Sequence, residues 1–444
     1  MPTSTRTALT LRIGLDRTLA WDAGGSVRYL VVDVDASSTV ATEVTPPAIN
    51  LALAIDVSGS MAGEKIVAAR DTASAVTRAL TARDRLTIVA FSHEATLLLD
   101  ARAMDDDGRR EALQAIARLD SEGNTNLWEG WRMAGERVAT AMRESAAASH
   151  RVLILSDGQA NQGTADPREL AHHAGEALAR GIITSAVGIG NDYHEFVLGA
   201  ITEAGGGRLH DAEHAEEISE VVLGELIEGR NALLERVALR VVVPANVRAE
   251  VVGSWSHTVL PGAIDVMVGT LLAQNPKRVV VRLHCPAGTV GMRIPLSATA
   301  HGMLPEGTGS VNAAAAEAEL RLAEASENTP QRRDVDRSVA AFSAWQADAM
   351  RRTVTFNLVG DRRGAKHFLR RELKWMENYA RDLPGVAPLL AELVLLLRRA
   401  DEEMTPRFAK ALYMGSTQRM RSEHDLRSSP QASVMEVLRW EGPE

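Results

Sequence analysis

Five oxygen-bearing side chains stand at points where strands and turns are expected to meet. They are, in chain order, Asp56, Ser58, Ser60, Thr125 and Asp157. In open α/β sheets, ligands gather outside the carboxyl ends of the strands, so these donors are well placed to share a ligand. Hard oxygen donors without Cys or His suit Mg²⁺, Mn²⁺ or Ca²⁺ better than zinc. The position and the oxygen chemistry of these side chains therefore favour a divalent-cation site.

The segments around these donors have the pattern of alternating strands and helices. Residues 49–55 form a short apolar run that is typical of a buried parallel strand, and residues 62–82 follow with helical spacing. Further strands are predicted over 86–91, 151–156 and 182–188, with helical segments between them. Such alternation favours a mostly parallel sheet that is covered by helices on both faces.

With its three donor segments in this order, the chain resembles a von Willebrand factor type A (vWA) domain of the bacterial type. The matching residues are Asp56-Val57-Ser58-Gly59-Ser60, then Thr125, then Asp157-Gly158. In that family they form the metal-ion-dependent adhesion site, and all five positions match here. The resemblance covers roughly residues 47–229 and implies an α/β fold with a Rossmann-like, doubly wound sheet.

The resemblance also implies how the cation is held. Ser58, Ser60 and Thr125 would bind it directly, whereas Asp56 and Asp157 would bind it directly or through water. One coordination position stays open for an Asp or Glu carboxylate of a partner protein. Mg²⁺ suits this role because it retains waters and prefers octahedral geometry, with Mn²⁺ and Ca²⁺ as alternatives. We expect Thr125 and Asp157 to lie on surface loops and not in the core.

On either side of this domain the pattern changes to strands separated by turns. Residues 1–46 contain two predicted strands, over 7–15 and 26–34, and residues 230–305 contain several short ones. An isolated hairpin is marginally stable, so we expect the N-terminal strands to join the later ones in an all-β sandwich. The vWA domain (47–229) would then be inserted into that sandwich. The alternative is a separate N-terminal flap.

Residues 306–427 are rich in Ala, Arg, Glu and Leu, which predicts a C-terminal α-helical region. Its helices are predicted near residues 312–326, 334–357, 363–381, 386–401 and 405–424. Residues 428–444 begin with a Ser-Ser-Pro-Gln segment and are predicted to form a flexible tail.

The composition indicates which class of partner and which cellular compartment to expect. A formal net charge of −9 gives no reason to expect a nucleic acid. No apolar run approaches the ~18 residues that a membrane span needs, and the N-terminus lacks the pattern of a signal peptide. A single cysteine, Cys285, excludes an internal disulfide and fits a reducing compartment. We therefore expect a cytoplasmic protein.

These observations favour a non-enzymatic, metal-dependent protein-binding module. A phosphotransferase of the Asp-x-Asp type would need a carboxylate at position 58, where the chain has Ser58. The alternative is a vWA subunit of a chelatase-like or assembly complex driven by an AAA+ ATPase. The chain has no Gly-x-x-x-x-Gly-Lys-Ser/Thr motif, so the ATPase would be a partner. A third interpretation is a structural role with a vestigial metal site.

Overall fold

A computed structural model of the chain describes residues 7–38, 46–143, 148–157, 162–190, 193–212, 215–305 and 309–421. Within them the chain forms three β-sheets, together with helices that cover them. The predicted tail over residues 428–444 lies outside the described residues, as does Gly158 of the Asp-Gly turn.

Strands and helices alternate in the middle of the chain, whereas strands dominate before it and helices dominate the end of it. The strands are β1 (Thr7–Leu15), β2 (Leu19–Trp21), β3 (Val27–Ser38), β4 (Ala48–Asp56), β5 (Arg85–Phe91), β6 (Ala95–Ala103), β7 (Ala148–Ser156), β8 (Ile182–Ile189), β9 (Gly206–Ala212), β10 (Ala232–Val242), β11 (Arg248–Val252), β12 (His257–Leu260), β13 (Ala263–Leu272), β14 (Lys277–His284), β15 (Arg293–Met303), β16 (Ser310–Asn312) and β17 (Ala316–Ala323). The helices are α1 (Glu64–Ala79), α2 (Asp106–Ile116), α3 (Leu127–Ala141), α4 (Pro167–Ala179), α5 (Glu195–Ala204), α6 (Ala215–Arg230), α7 (Ala325–Asn328), α8 (Val335–Leu358), α9 (Arg362–Ala380), α10 (Ala387–Arg399) and α11 (Pro406–Arg421), with a short 3₁₀ turn over Gly59–Met61.

The middle of the chain forms a six-stranded sheet in the order β6-β5-β4-β7-β8-β9. Strand β6 is antiparallel to β5, and the other neighbouring strands are parallel. Along β4, Leu53 and Ile55 face a core shared with α1, α2 and α6, while Ala52 and Ala54 face one shared with α3, α4 and α5. The predicted doubly wound, mostly parallel sheet is confirmed by this arrangement.

The strands before and after that sheet form two further sheets. One has four strands in the order β1-β3-β14-β11. The other has seven, with the order β12-β13-β10-β15-β17-β2 and with β16 paired to β15 beside this path. Strand β3 pairs antiparallel with both β1 and β14, so the N-terminal strands share a sheet with residues 277–284. Side chains from both sheets, among them Leu30, Val32 and Leu239, are buried in one apolar cluster.

Strand β3 serves two cores because successive side chains of a strand point to opposite faces. Leu30 and Val32 face the cluster between the two sheets. Tyr29 and Val31 face a second cluster, which is formed mainly by apolar side chains of α8, α9, α10 and α11. The four-stranded sheet therefore lies between the seven-stranded sheet and the C-terminal helices.

The helix predicted over residues 312–326 is wrong. Strand β17 occupies Ala316–Ala323 and pairs antiparallel with β15, and β16 pairs with the end of β15. Alanine and glutamate favour helices, but Glu317 and Glu319 are exposed while Leu320 and Leu322 are buried. Burial against the neighbouring strand overrides the local propensity. The strand-rich part predicted for 230–305 thus continues to residue 323, and the helical region begins at α7 instead of residue 306.

The long helices that follow agree with the prediction to within a few residues. They pack against the domain of the six-stranded sheet through α5. Arg351 of α8 donates to both carboxylate oxygens of Glu203 on α5, at 2.6 and 2.9 Å. The Tyr413 hydroxyl of α11 also donates to Glu203, at 3.2 Å. No helix among the described residues is long and apolar enough to cross a membrane.

Substitution of Leu30 tests whether β3 stabilises the two sheets. Leu30 is fully buried between them, so Leu30→Ala is expected to lower the free energy of unfolding by about 2–5 kcal/mol. Thr10 on β1 is exposed, and Thr10→Ala should change that free energy by less than about 0.5 kcal/mol. Urea denaturation followed by tryptophan fluorescence measures both values, and equal values for the two variants would contradict this role of β3.

Candidate metal centre

The first candidate donors lie on the tight turn between β4 and α1. The side chain of Asp56, the last residue of β4, is buried, and its Oδ1 accepts a hydrogen bond from the Ser58 backbone N–H at 2.9 Å. The 3₁₀ turn over Gly59–Met61 follows and carries Ser60. The hydroxyl oxygens of Ser58 and Ser60 are 3.1 Å apart. The turn thus holds three of the predicted donors together.

Asp157 joins this group because β7 lies next to β4 in the sheet. The register pairs Ile55 with Leu155, so the two strands end at the same level. Ser156 donates its hydroxyl to Asp56 Oδ2 at 2.5 Å, and Ser60 donates its hydroxyl to Asp157 Oδ1 at 2.8 Å. A continuous set of hydrogen bonds therefore connects Asp56, Ser58, Ser60 and Asp157.

Thr125 lies on a loop that is hydrogen-bonded to the same turn. The Gly59 backbone N–H donates to the carbonyl of Gly123 at 3.0 Å, and the N–H of Glu122 donates to the carbonyl of Val57 at 2.7 Å. Thr125, two residues after Gly123, is buried. The loop that carries Thr125 is thus connected by backbone hydrogen bonds to the turn that carries the first three predicted donors.

Thr125 and Asp157, which are expected on surface loops, have buried side chains. Asp56, Ser58, Thr125 and Asp157 are buried, and Ser60 is exposed. Burial at this position follows from the loops of residues 57–63 and 120–126, which close over the carboxyl ends of the strands. The donors therefore form a recessed cluster with one accessible side at Ser60.

Sequence reasoning missed two residues of the site, Lys65 and Ser156. Lys65 lies in the first turn of α1, and its ammonium is 2.6 Å from Asp157 Oδ2. Both residues were detectable in principle, because the first turn of a helix and the last residue of a strand meet at the same sheet edge. The spacing of the donor motif contains no sign of the contact between Lys65 and Asp157.

Burial changes the ionisation of the Asp56 carboxyl group. Removal from water raises the pKa of its carboxyl group to about 6, and the hydrogen bonds from Ser156 and Ser58 oppose that rise. Nearby Asp157 adds to the rise because two negative charges repel each other. A cation bound here would therefore stabilise the ionised form of a carboxylate whose charge is otherwise costly to bury.

Three of the donor oxygens, those of Ser58, Ser60 and Asp157, lie at hydrogen-bond distances that also suit adjacent ligands of an octahedral ion. Two adjacent ligands, each about 2.1 Å from Mg²⁺, lie about 3.0 Å from each other. The Ser58–Ser60 and Ser60–Asp157 oxygen distances are 3.1 and 2.8 Å. In the part of the chain that the structure describes, no three His, Cys, Asp or Glu side chains are grouped to hold a metal. The candidate centre thus depends on hydroxyls beside two carboxylates, a donor set for a hard cation.

The sequence is similar to that of known proteins over the same segment. Residues 50–222 match the model of the von Willebrand factor type A domain. The uncharacterized protein YfbK of Escherichia coli is 27% identical over 199 residues, which are 44% of this chain and 34% of that protein. Inter-alpha-trypsin inhibitor heavy chain H4 of Sus scrofa is 28% identical over 234 residues, 51% of this chain and 25% of that protein. The matches thus span only part of these relatives.

Solved structures share the fold over most of the chain. A von Willebrand factor type A protein from Catenulispora acidiphila superposes with a TM-score of 0.71 at 18% identity, over 94% of this chain and 98% of that one. The ArnB paralog VWA2 from Sulfolobus acidocaldarius gives 0.58 at 16% identity, with the same coverage. Such identities establish a common fold and nothing further. Together with the sequence match and the sheet order, they show that residues 50–222 form a von Willebrand factor type A domain.

Proposed function

We propose that this chain is a non-enzymatic binding module in which a divalent cation joins the vWA domain to an acidic side chain of a partner protein. The observation that carries the proposal is the connected oxygen cluster at the carboxyl ends of β4 and β7. Within it, the Ser60 hydroxyl lies 3.1 Å from that of Ser58 and 2.8 Å from the Asp157 carboxylate. Those distances suit one octahedral ion.

Mg²⁺ is the preferred ion in this proposal, with Mn²⁺ and Ca²⁺ as alternatives. Ser58, Ser60 and Thr125 would supply hydroxyl oxygens. Asp56 would act directly or through water, since both of its carboxylate oxygens already accept hydrogen bonds. When bound, the ion supplies a Lewis-acidic position for an oxygen ligand, and Mg²⁺ in proteins usually keeps several waters that such a ligand can replace.

The exposure of the donors supports an external ligand. Four of the five are buried, while Ser60 is exposed, so the ion would be reached from the side of Ser60. A carboxylate that approaches there meets an opposite charge in a partly desolvated recess, where electrostatic attraction is stronger than in bulk water. We assign no reaction to the site, because Asp56 and Asp157 are both engaged by neighbouring hydroxyls and Ser58 stands where a second phosphotransfer carboxylate would be needed.

The rest of the chain would hold and orient this module. We propose that the two outer sheets form one β-sandwich into which the vWA domain is inserted, since β3 pairs with β14 across the intervening domain. The helical region contacts the rim of the site through Lys410 of α11, which donates to the carbonyl of Gly190 at 3.2 Å. We also propose a cytoplasmic location for the protein, which the single buried cysteine, Cys285, supports.

Affinity capture with matched variants tests the proposal. Wild-type protein, Thr125→Val and Thr10→Val would be exposed to lysate of the native organism, once with Mg²⁺ and once with EDTA. Thr125→Val removes a donor hydroxyl at nearly constant shape, whereas Thr10 is exposed on β1. We expect a protein retained by wild type and Thr10→Val with Mg²⁺, and lost with EDTA or Thr125→Val.

The retained proteins would be identified by mass spectrometry. An ATPase of the AAA+ class among them would favour the alternative, in which the chain is a subunit of an energy-driven complex. The same proteins in every sample would contradict metal-dependent binding and would make the donor cluster a structural feature.

Proton release tests the predicted involvement of Asp56. Because burial raises the pKa of Asp56 to about 6, its carboxyl is largely protonated in the cation-free protein at pH 5 and largely ionised at pH 7.5. Binding of Mg²⁺ should therefore release close to one proton at pH 5 and almost none at pH 7.5. Titration calorimetry in buffers of different ionisation enthalpy measures this number, and equal release at both pH values would contradict the assignment.

A further inference from the structure

Lys65 places a positive charge beside the candidate metal centre. Its ammonium is 2.6 Å from Asp157 Oδ2, and the side chain of Asp157 is only 1% exposed. Lys65 lies in the first turn of α1, and its side chain lies against Gly190, where an added Cβ would stand 3.3 Å from Lys65 Cε. Lys65 is thus held in position from two directions.

The net charge of the site indicates how the Lys65 ammonium group affects ligand binding. Asp56 and Asp157 bring two negative charges, and Lys65 returns one positive charge, so the cation-free site is negative by one unit. A divalent cation makes the site positive by one unit. A carboxylate ligand then leaves it neutral, whereas a hydroxyl, amide or water ligand leaves a partly buried net charge, which is costly.

The other charged groups near Lys65 do not alter this count of charges at the site. Lys410, on the far side of Gly190, lies 3.4 Å from the centre of the Tyr193 ring and is faced by the carboxylate of Glu195. Glu64, at the start of α1, and Glu122, on a neighbouring loop, are exposed, so solvent and salt screen their charges. Among the residues that the structure describes, Lys65 is therefore the cation in direct contact with a donor carboxylate of the cluster.

We propose that Lys65 determines the ligand specificity of the site: it weakens cation binding and strengthens the preference of the bound cation for a carboxylate. The proposal rests on the metal-dependent function proposed above. A positive charge a few Å from a divalent cation opposes its binding, and the same charge attracts an incoming anion. Lys65 is thus expected to weaken cation binding and to strengthen anion binding. A residue that only orients Asp157 would not have these two opposite effects.

Three substitutions distinguish these effects. Lys65→Gln removes the charge, and Lys65→Arg keeps it. Arg78→Gln removes a positive charge from an exposed position of the same helix, about 20 Å along its axis. Mn²⁺ serves as the probe cation, and its binding is measured from the electron paramagnetic resonance signal of the free ion. Acetate serves as the probe anion, and its binding to the Mn²⁺-loaded protein is measured from water-proton relaxation.

We expect Lys65→Gln to bind Mn²⁺ about tenfold more tightly than wild type and to bind acetate several-fold more weakly. Lys65→Arg and Arg78→Gln should stay within about twofold of wild type for both probes, since both retain the charge beside Asp157. If Lys65→Gln binds Mn²⁺ more weakly, or if its acetate affinity is unchanged, the charge role of Lys65 is wrong.

A further variant separates failure of this inference from failure of the proposed function. Asp157→Asn should lose most of its Mn²⁺ affinity whether or not Lys65 determines the ligand specificity. If wild type and Asp157→Asn bind Mn²⁺ equally, the metal centre itself is wrong, and the inference about Lys65 is overturned with it. Loss in Asp157→Asn without opposite effects in Lys65→Gln rejects the inference alone.

Discussion

The parallel pairing of β4 with β7 is the constraint on which the candidate site depends. Their register pairs Ile55 with Leu155, so Asp56 and Asp157 emerge at the same edge of the sheet. The strands are held there by helices on both faces, which bury alternate side chains of β4 in two separate cores. Two carboxylates brought this close repel each other, and hydroxyl donors and Lys65 balance that repulsion. The polar site is therefore stabilised by an apolar framework.

The remainder of the chain extends this framework outward. Strand β3 places Leu30 in the core between the two outer sheets and Tyr29 in the core of the C-terminal helices. Those helices in turn contact α5 through Arg351 and Glu203, and the Gly190 loop through Lys410. Because Gly190 also lies against Lys65, direct contacts connect the helical region to the rim of the candidate metal centre. A partner protein that binds at this rim would therefore also contact a surface that the C-terminal helices support.

Local sequence pattern was sufficient for β4, β5, β7, β8 and the donor turn, because short apolar runs determine these strands. It did not indicate β6 and β9, the two edge strands of the same sheet. It was insufficient for β17, where Glu317 and Glu319 favour a helix and only pairing with β15 reveals a strand. The contact between Lys65 and Asp157 joins residues 92 positions apart, so it depends on tertiary packing. The burial of Thr125 and Asp157 likewise follows from how the loops close over the sheet, which residue spacing does not specify.

We propose that the five oxygen donors share one divalent cation. An anomalous difference map from crystals grown with Mn²⁺ tests it most directly. We expect a single strong peak within bonding distance of the Ser58 and Ser60 hydroxyls, with Thr125 facing it and Lys65 still beside Asp157. A map without a peak at this turn, in which the Ser58 and Ser60 hydroxyls remain hydrogen-bonded to each other, would contradict it.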